Sequence, residues 1–115
     1  MLWLQGDQLT SRVTFNNLAK VSAGQWHKVI IQASWKSDNT GFYKIWFDGQ
    51  KVLEEYNRKT TINDNSVFQF RIGLYANAWH DDGHMEGSQG FRQIWYDEVA
   101  IGTTFADVDP GNPSN

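Results

Sequence analysis

The stretch FYKIWF-DG-QKVLEEY, residues 42–56, decides the fold, because two strand-forming runs flank an Asp-Gly pair. Asp48 and Gly49 both tolerate the positive φ angles of a two-residue hairpin turn. The stretch therefore predicts a β-hairpin, with one strand over Phe42–Phe47 and the next over Gln50–Tyr56. Aromatic residues in its arms favour strand over helix. We expect the fold to be built on antiparallel pairing.

Period-2 alternation of apolar and polar residues continues on both sides of this hairpin. It predicts further strands at Leu9–Phe15, Trp26–Trp35, Val67–Tyr75 and Phe91–Ile101, with polar loops between them and an irregular tail over 107–115. This order predicts an all-β fold, an antiparallel β-sandwich. The strands account for only part of a large jelly roll. The 115 residues are therefore either a single β-sandwich domain or the C-terminal portion of one.

Composition excludes several classes of protein. A net charge of −3 gives no general attraction to nucleic acid or to an acidic membrane surface. No run approaches the roughly 18 apolar residues of a membrane-spanning helix. The absence of cysteine excludes disulfides. The N-terminus lacks the basic start and long apolar run of a signal peptide. If the protein acts outside the cell, its export signal was removed or was never in this piece.

The predicted strand Val67–Tyr75 carries the candidate chemistry. Phe68, Phe70, Ile72 and Leu74 alternate onto one face and are expected in the core, whereas Gln69, Arg71, Gly73 and Tyr75 fall on the other face. Arg71 and Tyr75 then lie about 13 Å apart along an extended strand. Gly73 between them leaves room for a sugar ring to approach.

This combination suits β-elimination of a uronic acid polymer, which removes the proton at C5 and expels the oxygen at C4. A cation must neutralise the neighbouring carboxylate before that proton becomes acidic. The arginine fork matches a carboxylate, and a tyrosine near a cation can serve as base, as acid or as both. The alternative is that Arg71 is a solvated sheet residue and Tyr75 merely ends a strand.

Other candidate residues are open to two interpretations. Trp46 shares a strand face with Lys44, and is either a stacking platform for a sugar or part of the core. The loop after Tyr75 holds His80 and His84, which either bind zinc or belong to a solvated loop at the rim of a cleft. Asn77 and Trp79 in that loop are candidate sugar contacts. The acidic pairs Glu54-Glu55 and Asp97-Glu98 point to alternating faces and do not make a glycosidase site.

Four segments together carry a resemblance to a known family. They are Gly24-Gln25-Trp26-His27-Lys28-Val29, Gly41 to Val52, Phe68 to Tyr75, and Ile94 to Gly102. The first two are shared with laminin-G-like binding modules. In this order and spacing the set resembles the heparin-lyase-I-like superfamily, and its glucuronan lyase branch in particular. The key strand is similar to the family pattern F-K-x-G-x-Y.

The resemblance implies a concanavalin-like jelly roll that acts outside the cell on an acidic polysaccharide. Tyr75 matches the family's catalytic tyrosine, and Arg71 stands where the family has a catalytic lysine. Substrate contacts are then expected from Gln69, Trp46, Lys44, Asn77 and Trp79. Concanavalin-like folds often place a calcium ligand where Asp97 stands, which makes a structural calcium a further expectation. No organic cofactor is expected.

The resemblance leaves the activity of this chain open. Lyases of this type also use a histidine and an amide from preceding strands, and nothing before Gly24 resembles those segments. The chain is then a C-terminal half that requires a missing N-terminal half, or a second copy, to complete its sheet. An inactive fragment is one alternative, and a non-catalytic carbohydrate-binding module is another.

Overall fold

The structure, a computed structural model, describes residues 2–7, 12–65, 67, 69–74 and 90–111. Its strands are β1 (Leu2–Asp7), β2 (Arg12–Ala19), β3 (Val29–Ser34), β4 (Gly41–Phe47) and β5 (Gln50–Arg58), and one short helix, α1, spans Phe105–Val108. Antiparallel pairing joins β1 to β2, and β3, β4 and β5 in that order. No helix among the described residues is long and apolar enough to cross a membrane.

The chain divides into two compact units. One comprises Met1–Asn65 with Ile101–Asn115, and the other comprises Ser66–Ala100. All five strands and α1 belong to the first unit.

The predicted hairpin is confirmed at its turn and in both arms. Asp48 has φ of 49° and Gly49 has φ of 82°, so both turn residues adopt the left-handed backbone that their side chains tolerate. Ile45 lies opposite Leu53, whereas Trp46 lies opposite Lys51, which leaves Val52 as the extra residue of a β-bulge. The bulge brings Val52 and Leu53 both to the core side of β5.

Alternation along β4 separates a core face from an outer face. Gly41, Tyr43 and Ile45 are buried, while the residues between them are partly exposed. Tyr43, Ile45 and Leu53 form the core, and Phe15, Leu18, Ala33 and Val52 pack against it. The Phe15 ring meets Tyr43 edge-on with centroids 6.3 Å apart, so β2 contributes to the core that covers the three-stranded sheet.

The strand β3 is shorter than predicted, and Ile30 is its buried residue. It spans Val29–Ser34 rather than Trp26–Trp35. Ile30 is only 4% exposed, whereas Val29 and Ile31 on the opposite face are 43% and 52% exposed. In the described part of the chain, β3 lies at the edge of its sheet. The apolar side chains on its core-facing side therefore extend beyond the residues of β2 that cover the sheet.

A buried threonine connects the two ends of this sheet. The Thr60 hydroxyl donates to the carbonyl of Ser34 at 2.6 Å and accepts from the amide of Lys36 at 2.7 Å. Gly41 lies against it, and a Cβ there would come within 2.6 Å of Thr60 Oγ1. Glycine is required at position 41 because only a bare backbone fits beside this side chain.

Several sequence predictions differ from the structure. The first predicted strand, Leu9–Phe15, is confirmed over Arg12–Phe15, which belong to β2, while Leu9–Ser11 lie outside the described residues. β1 was not predicted. The tail is not irregular from residue 107, because α1 continues to Val108. Thr104 and Asp107 close a capping box at its start, and this Thr-x-x-Asp spacing was the signal in the sequence.

The predicted strands Val67–Tyr75 and Phe91–Ile101 are wrong for their described residues, which form no strand. Phe70, Ile72 and Leu74, expected in the core, are 64%, 47% and 48% exposed. Alternation makes a segment able to enter a sheet, but a strand forms only when a neighbour supplies backbone hydrogen bonds. The described residues supply no such neighbour to either segment.

Candidate active site

Arg71 and Gln69, two predicted site residues of the second unit, contact each other. Nε of Arg71 donates to Oε1 of Gln69 at 3.0 Å, and Nη2 of Arg71 donates to the same oxygen. Both side chains are exposed. The contact orients the guanidinium, and it leaves donors of the arginine available for a carboxylate.

Gly73 and Tyr96 form a contact that sequence analysis missed. The Tyr96 hydroxyl donates to the carbonyl of Gly73 at 2.8 Å, which links two residues 23 positions apart in the chain. Among the described residues, a Cβ at Gly73 would meet nothing within 4 Å. The predicted approach of a ring or a backbone beside Arg71 stays a prediction.

Tyr75, Asn77 and Trp79 lie outside the described residues, as do His80 and His84 of the suggested zinc loop. The predicted pairing of Arg71 with Tyr75 on one face therefore stays a prediction. The described residues contain no group of three or more His, Cys, Asp or Glu side chains that could hold a metal ion.

Asp97, the predicted calcium ligand, uses its carboxylate locally. Its Oδ1 accepts the amide of Glu98 at 2.9 Å, and Glu98 has a left-handed φ of 52°. Calcium requires about six to eight oxygen ligands from several segments. Asp97 belongs to no group of three or more such side chains among the described residues, so a calcium site stays a prediction and no chemistry is assigned to it.

Lys44 and Trp46 lie on the outer face of the first unit, opposite the buried Tyr43 and Ile45. Trp46 is partly exposed, and it lies directly opposite Ile30, which is 4% exposed. Its ring meets Phe105 of α1 edge-on with centroids 4.8 Å apart, and the Lys51 ammonium lies 5.7 Å from the Trp46 centroid.

Lys44 places its ammonium between two further rings of the same face. Nζ lies 5.3 Å from the Phe42 centroid and 5.1 Å from the Tyr56 centroid. The hydrogen bond with Tyr56 raises the pKa of Lys44, and the nearby charge of Glu54 acts in the same direction. Lys44 is therefore a cation at any physiological pH.

Glu54 connects the rings and cations of this face. Its carboxylate accepts the Tyr56 hydroxyl and the Lys51 ammonium, the latter at 3.0 Å. These two donors lower the pKa of Glu54, the Tyr56 hydroxyl having the larger effect. The carboxylate thus fixes the positions of one ring and one cation on the outer face.

His27 is the centre of a hydrogen-bonded array. Nδ1 of His27 lies 2.7 Å from Oδ2 of Asp48, and Nε2 accepts the amide of Ser22 at 3.2 Å. The ring stacks on Phe47 with centroids 5.0 Å apart. The missed signal is the register, because pairing of Val29 with Phe47 brings the residues before β3 next to the turn.

Comparison with known proteins gives the family. A family model described as polysaccharide lyase matches residues 1–100. A solved structure, endo-beta-1,4-glucuronan lyase from the fungus Trichoderma reesei, is 72% identical and superposes with a TM-score of 0.82. The similarity covers 89% of this chain and 43% of that one, so this chain spans less than half the length of the solved lyase. A search of curated proteins gave no match.

The likeness confirms the predicted fold class, an antiparallel β-sandwich of the jelly-roll type. The resemblance in sequence to glucuronan lyases is confirmed as well. On the family match over residues 1–100, the chain belongs to the polysaccharide lyase family.

Proposed function

We propose that this chain is part of an enzyme that cleaves a glucuronan-type uronic acid polymer by β-elimination. The observation that carries the proposal is 72% identity, over 89% of this chain, to an endo-beta-1,4-glucuronan lyase. We infer that the enzyme acts outside the cell, where a polymer of this kind is encountered.

In the proposed reaction, the phenolate of Tyr75 takes the C5 proton of a glucuronate residue. The electron pair of that C–H bond forms the C4–C5 double bond, and the bond from C4 to the glycosidic oxygen breaks. The leaving oxygen takes a proton from the Tyr75 hydroxyl, which restores the phenolate. Arg71 binds the carboxylate on C5, and its charge stabilises the enolate that develops there.

The surroundings of Arg71 support this role. Its side chain is exposed and is oriented by Gln69, and Gly73 leaves open space two residues further on. We assign Gln69, Asn77 and Trp79 to substrate binding beside this pair. Lys44 and Trp46 are proposed contacts with the polymer from the outer face.

We further propose that turnover requires a histidine and an amide from a segment equivalent to the part of the solved lyase that this chain does not match. The exposed apolar side chains of residues 67–101 support such a partner, since Val67, Phe91 and Ile101 are 88%, 73% and 79% exposed. A β-rich segment would cover these side chains and would supply strand partners to the described residues of this range, which form no strand.

The test measures the ultraviolet absorbance of the unsaturated uronate product. The 115-residue chain is assayed on glucuronan, alginate and heparin, alone and co-expressed with the unmatched part of the Trichoderma reesei lyase. We expect product from glucuronan in the co-expressed sample. Tyr75→Phe in the same sample should abolish product while leaving affinity for glucuronan unchanged. Binding without product in every sample would contradict the lyase proposal and favour a non-catalytic binding module.

A further inference from the structure

The outer face of the three-stranded sheet gathers aromatic rings and cations beside the buried Ile30, which lies opposite Trp46. We name the aromatic–lysine face after its members, Phe42, Lys44, Trp46, Lys51, Glu54, Tyr56 and Phe105. They come from β4, β5 and α1 and lie opposite the core. Tyr56 is 48% exposed and Phe105 is 37% exposed, and Phe42 and Trp46 are partly exposed. Exposing rings to water costs free energy, so a contiguous group of them indicates a binding surface.

The cations of this face are positioned by the rings. Lys44 lies about equally far from the Phe42 and Tyr56 centroids, at 5.3 and 5.1 Å, and Lys51 lies 5.7 Å from the Trp46 centroid. A lysine held over a ring loses less side-chain entropy when it binds an anion than a mobile surface lysine does. The two cations outnumber the carboxylate of Glu54, so the face is positive in a chain whose net charge is −3.

We propose that the aromatic–lysine face is a second binding surface for uronic acid polysaccharide, made of elements that do not include residues 69–75. Lys44 and Lys51 bind sugar carboxylates, and the rings of Trp46 and Tyr56 contact the apolar faces of sugar rings. The choice of ligand rests on the proposed function. The surface itself rests on the contacts among its side chains.

Two features make the match with an acidic sugar specific. Each cation has a ring beside it, which suits a ligand that carries a carboxylate and an apolar ring face on the same unit. Glu54 holds Tyr56 and Lys51 through two hydrogen bonds, so this part of the face is formed before a ligand arrives. A neutral polymer would make only the ring contacts.

Binding is tested by calorimetry on the full chain carrying Tyr75→Phe, which prevents cleavage during the titration. The ligand is an oligosaccharide of β-1,4-linked glucuronate, and the control is a cello-oligosaccharide of the same length, which has the same linkage without carboxylates. We expect Lys44→Met and Lys51→Met each to weaken glucuronate binding by about 3- to 10-fold. Lys20→Met, which removes an exposed lysine outside the face, should leave the affinity unchanged. Added salt should weaken binding to the glucuronate ligand only.

Nuclear magnetic resonance supplies a second readout, which does not depend on catalysis. The indole N–H signal of Trp46, assigned with Trp46→Phe, should shift when the glucuronate ligand is added. Equal affinities for Lys44→Met, Lys51→Met and Lys20→Met would overturn the proposal, as would equal affinity for the cello-oligosaccharide. If Arg71→Ala weakens binding while Lys44→Met and Lys51→Met do not, the proposal of a second surface is wrong and the proposed function stands. If the face binds but no sample forms product, the surface stands and the proposed reaction fails.

Discussion

Nδ1 of His27 lies 2.7 Å from Oδ2 of Asp48, which joins the segment before β3 to the turn between β4 and β5. Asp48 also accepts the amide of Lys28 through its other carboxylate oxygen at 2.8 Å, and its own amide donates to the carbonyl of Lys28. One carboxylate therefore holds a hairpin turn and a neighbouring strand in register. The pair raises the pKa of His27 and lowers the pKa of Asp48, mainly through their mutual hydrogen bond.

These shifts predict a pH window for stability. The pKa of His27 is raised in the folded state, so its contribution to the free energy of unfolding is complete below its ordinary pKa of 6.5. That contribution is lost as the pH rises through the pKa of the folded state. The pKa of Asp48 is lowered in the folded state, so its contribution to the free energy of unfolding is complete above its ordinary pKa of 3.8. That contribution is lost as the pH falls through the pKa of the folded state. We expect the pair to raise the melting temperature most between these two values. His27→Gln should flatten this part of the profile, and an unchanged profile would contradict the prediction.

The pKa of His27 itself provides a direct check. A titration followed by nuclear magnetic resonance, with His27→Gln used to assign the signal among three histidines, should give a value above 6.5. Asp48→Asn keeps a residue that tolerates the left-handed turn and removes the charge. In that variant the pKa of His27 should fall back towards 6.5. A His27 value that does not respond to Asp48→Asn would show that the two side chains are not coupled.

Ile30 and Ile31 are adjacent residues of the same type on one strand, and their exposures differ. Ile30 is 4% exposed and Ile31 is 52% exposed. Ile30→Ala should lower the free energy of unfolding by about 2–5 kcal/mol, because it leaves a cavity among packed side chains. Ile31→Ala should cost less than about 1 kcal/mol, because half of that side chain is already in water. Urea unfolding of the two variants measures the difference, and equal losses would contradict the assigned faces.

The sequence predicts some features of this fold, but it does not predict which face of β3 is buried. Asp48-Gly49 predicted its hairpin because the turn depends only on the backbone preferences of two neighbouring residues. The burial of Ile30 could not be predicted, because Val29, Ile30 and Ile31 are all apolar. Alternation cannot choose between two apolar faces, and the choice depends on which distant segments cover each face.

The candidate site likewise contains features that the sequence could predict and features that it could not. The sequence predicted that Trp46 shares a face with Lys44, because alternation within one strand is local. It did not predict Glu54 and Tyr56 on that face, because the extra residue Val52 changes the alternation of β5 after Lys51. The array around His27 was missed for a similar reason, since it depends on the register between two strands. Alternation put Arg71 and Tyr75 on one predicted face, and resemblance to a family favoured a catalytic role for Arg71 over that of a solvated sheet residue.

Substitution by alanine should lower the stability of the chain at Gly41 and should change it little at Gly73. A Cβ at Gly41 would lie 2.6 Å from Thr60 Oγ1 and 2.7 Å from the carbonyl of Arg58, while a Cβ at Gly73 would meet none of the described residues within 4 Å. Gly41→Ala should therefore cost about 1–3 kcal/mol of stability, since a buried side chain and a backbone carbonyl must move. Gly73→Ala should stay within about 0.5 kcal/mol of the unmodified chain. Thermal unfolding separates the two cases, and a stable Gly41→Ala variant would mean that Thr60 is not fixed.

Arg71 offers the sharpest test of the proposed chemistry, because two substitutions separate its charge from its shape. If the charge neutralises the substrate carboxylate, Arg71→Ala should lower kcat by about 10²- to 10³-fold, as expected when a stabilising group is removed from the developing anion. Arg71→Lys keeps the charge and places there the residue that resembling lyases carry, so its loss should be about 10-fold or less, from the missing bidentate fork. Product formation on glucuronan, measured in the co-expressed sample, gives both values. Equal losses for lysine and alanine would show that the planar fork, held by Gln69, is essential and that charge alone is insufficient. No loss for either variant would remove Arg71 from the mechanism.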